Sequence, residues 1–167
     1  MKKMDSLGLK LCGYQASLFE TSIEITNCSS PIFIRRFMNS DLAKRIDSTG
    51  YLFEATTITE ALGEIENQYG PSDYGTERYS REELHWIGYI YRYWAYVSDK
   101  TSRQLYRTIK PAQLKKLYFP YHSLDPMQAI ERIMEGIAPE PESEQDKIAE
   151  GARILRKIRN RTAQQTG

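Results

Sequence analysis

The residues best suited to chemistry lie in the most hydrophobic segment of the chain, LHWIGYIYRYWAYV. Four polar or aromatic positions in it are spaced by four, three and four residues, so on a helix they share one face. They are His85, Tyr89, Arg92 and Tyr96. Such a cationic and aromatic face could bind a phosphate or a carboxylate. The alternative, which we favour, is a buried Arg92 that is paired with an acid such as Glu54 or Glu64.

A second candidate pair is formed by Arg78 and His85, with six residues between them. The pair resembles the Arg-x4–6-His motif of the HEPN ribonucleases, which are small α-helical bundles with the motif at a dimer interface. The resemblance implies an RNA-cleaving enzyme that uses Arg78 and His85. The sequence departs from the motif at Tyr79, where the family has a polar residue, and at Ser80, which looks like a helix cap inside the motif.

The C-terminal segment contains a candidate binding surface. A helix predicted over 143–161 has a thin apolar stripe, formed by Ile148, Ala152, Leu155 and Ile158. Its second half is basic and includes Arg153, Arg156, Lys157, Arg159 and Arg161. We expect this helix to bind a protein partner or a second copy of the chain. Binding to nucleic acid phosphates, or a merely solvated helix, are the alternatives.

Composition argues against several other functional classes. The 23 basic and 22 acidic side chains leave a net charge of +1, which creates no general attraction to nucleic acid or membranes. Cys12, Cys28 and the two histidines lack the spacing of a zinc site, and we expect reduced thiols, no metal and no cofactor. Neither a signal peptide nor an apolar run of roughly 18 residues is present, which predicts a soluble, cytoplasmic protein.

A central helix, from about 81 to 98, must position most of these residues. Ser80 and Glu83 form a capping-box pattern ahead of the hydrophobic run. Because the run is apolar on nearly all sides, we expect the helix to be buried. Gly88 in its middle predicts the close approach of a neighbouring helix. The expected core side chains are Leu84, Ile87, Ile90, Tyr91 and Trp94.

The remaining elements predict an all-α fold, a bundle of short helices around this central helix. The first helix is predicted over about 11–25, and residues 119–122 are predicted to form an aromatic loop. We divide the chain into a globular domain over 1–137, an acidic proline-containing linker over 138–142 and an appended amphipathic helix with its tail over 143–167. Strand patterns are absent, because β-branched residues never alternate for long.

The chain resembles a family of small bacterial proteins that are presumed antitoxins of toxin–antitoxin pairs. The resemblance lies in three segments, SPIFIRRFMNSDLAKRID, YSREELHWIGYIYRYW and LYRTIKPAQLKKLYFPYHSLDPMQAIERI, and covers about residues 30–133. It implies a non-enzymatic protein that binds and silences a co-encoded toxin. It supplies no set of functional residues.

Three functions are therefore open. The leading hypothesis is a binding protein that inhibits a partner, in particular a toxin enzyme. The second is an RNA-cleaving enzyme that uses Arg78 and His85, and the third is a nucleic-acid-binding regulator that acts through the basic helix. Ribonuclease activity lost on His85→Ala would favour the second, and a salt-dependent affinity for duplex DNA would favour the third.

Overall fold

The computed structural model describes residues 1–48, 56–137 and 144–165, and within these ranges it contains nine α-helices and no strand. In chain order the helices are α1 (Ser6–Ile25), α2 (Ser30–Asn39), α3 (Asp41–Asp47), α4 (Ile58–Tyr69), α5 (Arg81–Ser98), α6 (Ser102–Thr108), α7 (Pro111–Tyr121), α8 (Pro126–Ile137) and α9 (Glu144–Gln165). The predicted all-α class is confirmed.

The chain divides into two compact units, Met1–Glu131 and Arg132–Gly167. The first unit contains α1 to α7 and the beginning of α8, and the second contains the end of α8 and α9. The linker predicted over 138–142 lies outside the described residues.

Helix α5 is the central element of the first unit and packs against α1, α6 and α7. It begins with the predicted capping box, in which the Glu83 backbone N–H donates to Ser80 Oγ at 3.1 Å and the Ser80 N–H donates to Glu83 Oε1 at 3.0 Å. All five side chains predicted to form the core are buried, which confirms the prediction of a helix enclosed by its neighbours.

Helices α1 and α5 approach each other closely at Gly88. A Cβ placed on Gly88 would lie 2.9 Å from the carbonyl oxygen of Gln15 and 2.9 Å from Cγ of Phe19. Any side chain at this position would therefore separate the two helices. The close approach predicted from this glycine is confirmed.

Two helix boundaries differ from those predicted. Helix α1 begins at Ser6 rather than near Leu11, because Asp5 caps it by accepting a hydrogen bond from the Gly8 N–H at 2.9 Å. Helix α7 continues to Tyr121, so the predicted aromatic loop is wrong. Pro120 lies in the last turn and has no N–H to donate to the Lys116 carbonyl, but the His122 N–H still donates to the Tyr118 carbonyl at 2.8 Å beyond it.

Candidate functional site

The predicted polar face of α5 lies along α1. Helices α1 and α5 run antiparallel, so contacts near the start of one helix fall near the end of the other. Three positions of the face reach α1: His85 Nδ1 lies 3.0 Å from Glu20 Oε2, Arg92 Nε donates to Gln15 Oε1 at 2.8 Å, and the Tyr96 hydroxyl donates to Asp5 Oδ1 at 2.7 Å. The fourth, Tyr89, has its ring centroid 6.2 Å from that of Tyr93.

Arg92 is the buried centre of a polar network. Its guanidinium donates to Gln15 Oε1, to Asp47 Oδ1 at 2.7 Å and to Ser102 Oγ at 2.7 Å. The Ser102 hydroxyl in turn donates to Asp47 Oδ1 at 2.8 Å, and the Ser102 backbone N–H donates to Asp47 Oδ2 at 2.9 Å. The network joins α1, α3, α5 and α6, and every charge in it is paired.

The prediction that Arg92 is buried and paired with a carboxylate is confirmed, but the carboxylate differs from the two candidates. The partner is Asp47 at the end of α3. Glu64 forms an exposed ion pair with Arg45 instead. Glu54 lies outside the described residues. The sequence does not predict Asp47 as the partner of Arg92, because α3 and α5 are brought together only by the packing of the bundle.

At the start of α1, Asp5 caps the helix and also accepts a hydrogen bond from the Tyr96 hydroxyl. The hydrogen bond from the Gly8 N–H, followed by the one from the Tyr96 hydroxyl, lowers the pKa of Asp5. The pKa of Tyr96 is raised, first by its partial burial and then by this hydrogen bond to a carboxylate. Both shifts favour the observed hydrogen bond, with the proton on the tyrosine.

Arg78, the first residue of the HEPN-like pair, contacts the end of α1. Its guanidinium donates to the carbonyl oxygens of Thr26 and Cys28, both at 2.9 Å, and to that of Ile23. The bonds to Ile23 and Thr26 satisfy carbonyls that the end of α1 leaves without helical partners. His85, the second residue, pairs with Glu20. Both side chains of the proposed catalytic pair therefore have partners on or just after α1.

His85 and Tyr89 also line an open aromatic cleft of about 370 Å³ in the first unit. The aromatic wall contains Trp86, whose ring meets that of Tyr118 edge-on at 5.9 Å, and His122, which stacks on Tyr118 at 4.6 Å. Other residues that line the cleft are Glu20, Glu82, Ile90, Leu124 and Pro126. Burial raises the pKa of Tyr89, which keeps its phenol protonated.

Sequence reasoning did not find this cleft. Trp86 lies within a continuous apolar run, and the predicted loop over 119–122 separates His122 from Tyr118. The available signal was the spacing of Tyr118 and His122, four residues apart, which places them on one face when α7 continues through Pro120.

Neither cysteine has the surroundings of a reactive thiol. Cys12 and Cys28 are free and buried. Burial raises the pKa of the Cys12 thiol to about 12, so that the nucleophilic thiolate is scarce. Cys12 is therefore a small core residue of α1.

The predicted partner-binding residues lie on α9, in the second unit. Three aliphatic side chains of its stripe are more than half exposed, Ile148 at 68%, Leu155 at 68% and Ile158 at 56%. Ala152 and the basic residues Arg153, Arg156, Lys157 and Arg159 are exposed as well, and Arg153 pairs with Glu150 at 2.8 Å.

The fold and these sites define an all-α protein with a buried polar network around Arg92, an aromatic cleft and an exposed amphipathic helix. No family model, curated protein or solved structure matches the chain. Among the described residues no group of three or more His, Cys, Asp or Glu side chains is placed to hold a metal ion. No helix in the described ranges combines the length and apolar character needed to cross a membrane.

Proposed function

We propose that the protein is a binding protein that inhibits another protein, and specifically an antitoxin that neutralises a bacterial toxin encoded beside it. The observation that carries the proposal is the exposed stripe of α9, in which Ile148, Leu155 and Ile158 face solvent in a single copy of the chain. Aliphatic side chains at this spacing are the usual anchors of a helix that binds in an apolar groove.

The energetics of such a helix favour a covered state. Burial of one Leu or Ile side chain stabilises a complex by roughly 1.5–3 kcal/mol, so three of them form a substantial anchor. In proteins most of the stability of a helix comes from the packing of its apolar face rather than from helix propensity. A groove that covers the stripe would therefore stabilise the helix and, by the same contacts, increase the affinity of the complex.

The basic residues of α9 supply the second element of recognition. Arg156, Lys157 and Arg159 are exposed and lie in the same part of the helix as Leu155 and Ile158. An acidic rim around an apolar groove would complement them and accelerate association. The partner that fits best is therefore a protein with an apolar groove bordered by acidic side chains. The resemblance to presumed antitoxins over residues 30–133 suggests that the partner is a toxin.

The test is a growth-rescue assay with the neighbouring toxin gene under an inducible promoter. Co-expression of the full chain should restore growth, and the purified proteins should co-elute in size-exclusion chromatography. The triple variant Ile148→Ser, Leu155→Ser, Ile158→Ser should lose both effects while it keeps the circular dichroism spectrum of a folded bundle. Rescue by the triple variant at equal expression would exclude α9 as the binding element.

A charge variant separates protein from nucleic acid as the partner. Arg156→Gln, Lys157→Gln and Arg159→Gln remove three positive charges and leave the apolar stripe intact. For a protein partner we expect slower association but retained rescue. If the charge variant abolishes a salt-dependent affinity for duplex DNA, while the serine variant binds DNA normally, α9 is a nucleic-acid-binding element instead.

A further inference from the structure

The aromatic cleft contains an unusual excess of hydrogen-bond acceptors and electron-rich rings. Both histidines of the chain lie in it, together with Glu20 and Glu82. None of the described residues that line it is a lysine or an arginine. The chemistry of its walls therefore favours a ligand that brings positive charge and N–H donors.

The hydrogen bonds of His122 fix which ring nitrogen carries the proton in the neutral ring. Its Nδ1 lies 3.0 Å from the Tyr118 carbonyl oxygen and 3.1 Å from that of Phe119. Carbonyl oxygens only accept, so Nδ1 carries the proton, and Nε2 of the neutral ring is an acceptor. His85 has the same arrangement, since its Nδ1 lies 3.0 Å from the Glu20 carboxylate and its Nε2 is left as an acceptor in the neutral ring.

The two carboxylates of the cleft differ in how far they are neutralised. Glu20 is shared between His85 and Arg81, whose Nη2 lies 3.3 Å from Glu20 Oε1. Glu82, in the first turn of α5, has no hydrogen bond or ion pair to any part of the chain that the structure describes. Glu82 is therefore the carboxylate that is left to pair with a ligand.

The aromatic rings of the cleft supply the negative faces to which a cation is attracted. Trp86 and Tyr118 meet at an interplanar angle of 76°, which gives two walls at nearly a right angle. The two rings touch edge to face, so a cation would lie in the cleft against a ring face that this contact and the stacking of His122 leave open. The cavity of about 370 Å³ has room for an alkylammonium or guanidinium head group with part of its aliphatic chain.

From this geometry we infer that the cleft binds an organic cation of the ammonium or guanidinium class, held by Glu82 and by the rings of Trp86 and Tyr118. The cation comes either from a free amine or guanidine or from a lysine or arginine side chain of a bound protein. Only the second source rests on the function proposed above.

The experiment uses the two tryptophans of the chain as internal probes. Trp86 lines the cleft and Trp94 is buried in the core, so the ¹⁵N-labelled full chain has one indole signal at the site and one away from it. The variant Trp86→Phe assigns the two signals. We expect N-acetylarginine amide to shift the Trp86 signal in a saturable way and to leave the Trp94 signal unchanged.

Matched ligands and variants test each part of the inference. N-acetylcitrulline amide has the same shape without the charge and should cause no saturable shift. Glu82→Gln should weaken the binding of N-acetylarginine amide by roughly two- to fivefold. The control is Glu131→Gln, which should leave binding unchanged, because Glu131 is an exposed acid on α8 that does not line the cleft. Tyr118→Phe should retain binding, and Tyr118→Leu should weaken it.

Two further probes distinguish the sources of the cation. Tight binding of free agmatine, with weaker binding of an arginine-containing tripeptide, indicates a small-molecule ligand, and the reverse order indicates a protein side chain. Equal shifts with the citrulline and arginine amides, or no saturable shift with any cation, would overturn the inference. Saturable binding of inorganic phosphate instead of the cations would do so as well. None of these three results depends on α9, so failure here leaves the proposed function standing.

Discussion

At the scale of single residues, Arg92 shows how a potentially reactive side chain serves the fold. Its guanidinium is buried, and each of its three donor nitrogens has a partner on a different helix. Loss of the guanidinium would leave Asp47 as a partly buried carboxylate with only the hydrogen bonds from Ser102. A buried charge that has lost its partner is strongly destabilising.

We therefore expect Arg92→Met to lower the free energy of unfolding by about 3–5 kcal/mol in urea denaturation. The matched control is Arg45→Met, which removes an arginine from an exposed ion pair with Glu64 and should cost less than about 1 kcal/mol. An Arg92→Met protein that is fully stable but has lost its partner-binding activity would assign Arg92 to a ligand site instead.

At the scale of elements, the crossing of α1 over α5 depends on the missing side chain of Gly88. Alanine would be the better helix former by about 1 kcal/mol, but its methyl group would meet the backbone of α1 at Gln15. Since a backbone atom cannot move away as a flexible side chain can, the steric cost should exceed the gain in helix propensity.

Gly88→Ala should accordingly destabilise the protein by about 1–2 kcal/mol in urea denaturation. Gly63, inside α4, is the matched control, because a Cβ there meets nothing within 4 Å. Gly63→Ala should stabilise the protein by roughly 0.4–1 kcal/mol. If both substitutions stabilise, the two helices are farther apart than the structure indicates.

At the scale of the whole molecule, the hydrophobic core and the proposed binding helix occupy different parts of the chain. The buried hydrophobic side chains among the described residues lie between Leu11 and Ile133. None of the described side chains of α9 is buried. The core therefore does not require α9, whereas the proposed partner binding does.

Deletion of residues 139–167 should shift the melting temperature by less than about 4 °C, which corresponds to roughly 1 kcal/mol, and should abolish toxin neutralisation. Deletion of residues 126–167 is the control, because it also removes the buried Ala129 and Ile130 of α8 and should unfold the bundle or lower its stability severely. If the shorter deletion already unfolds the protein, the predicted boundary near residue 138 is misplaced.

Much of the fold followed from local patterns. The capping pair that begins α5 lies where the sequence predicts it, and the five predicted core residues of α5 are buried. These features depend on neighbours within one helical turn or on hydrophobicity around one helix, and both are visible in a single sequence. The start of α1 and the extension of α7 through Pro120 were not predicted. A possible capping residue such as Asp5 and a proline near a helix end such as Pro120 are each compatible with more than one position for the helix boundary.

The sequence by itself determined the helical class, the buried central helix, the burial of Arg92 and the need for close packing at Gly88. Each of these is a local or compositional property of one helix. Only the tertiary structure decided that Asp47 is the partner of Arg92 and that His85 and His122 share an aromatic cleft. The partners in these arrangements are more than 30 residues apart in the chain. They meet because the bundle packs its helices in one particular order, which no local pattern specifies.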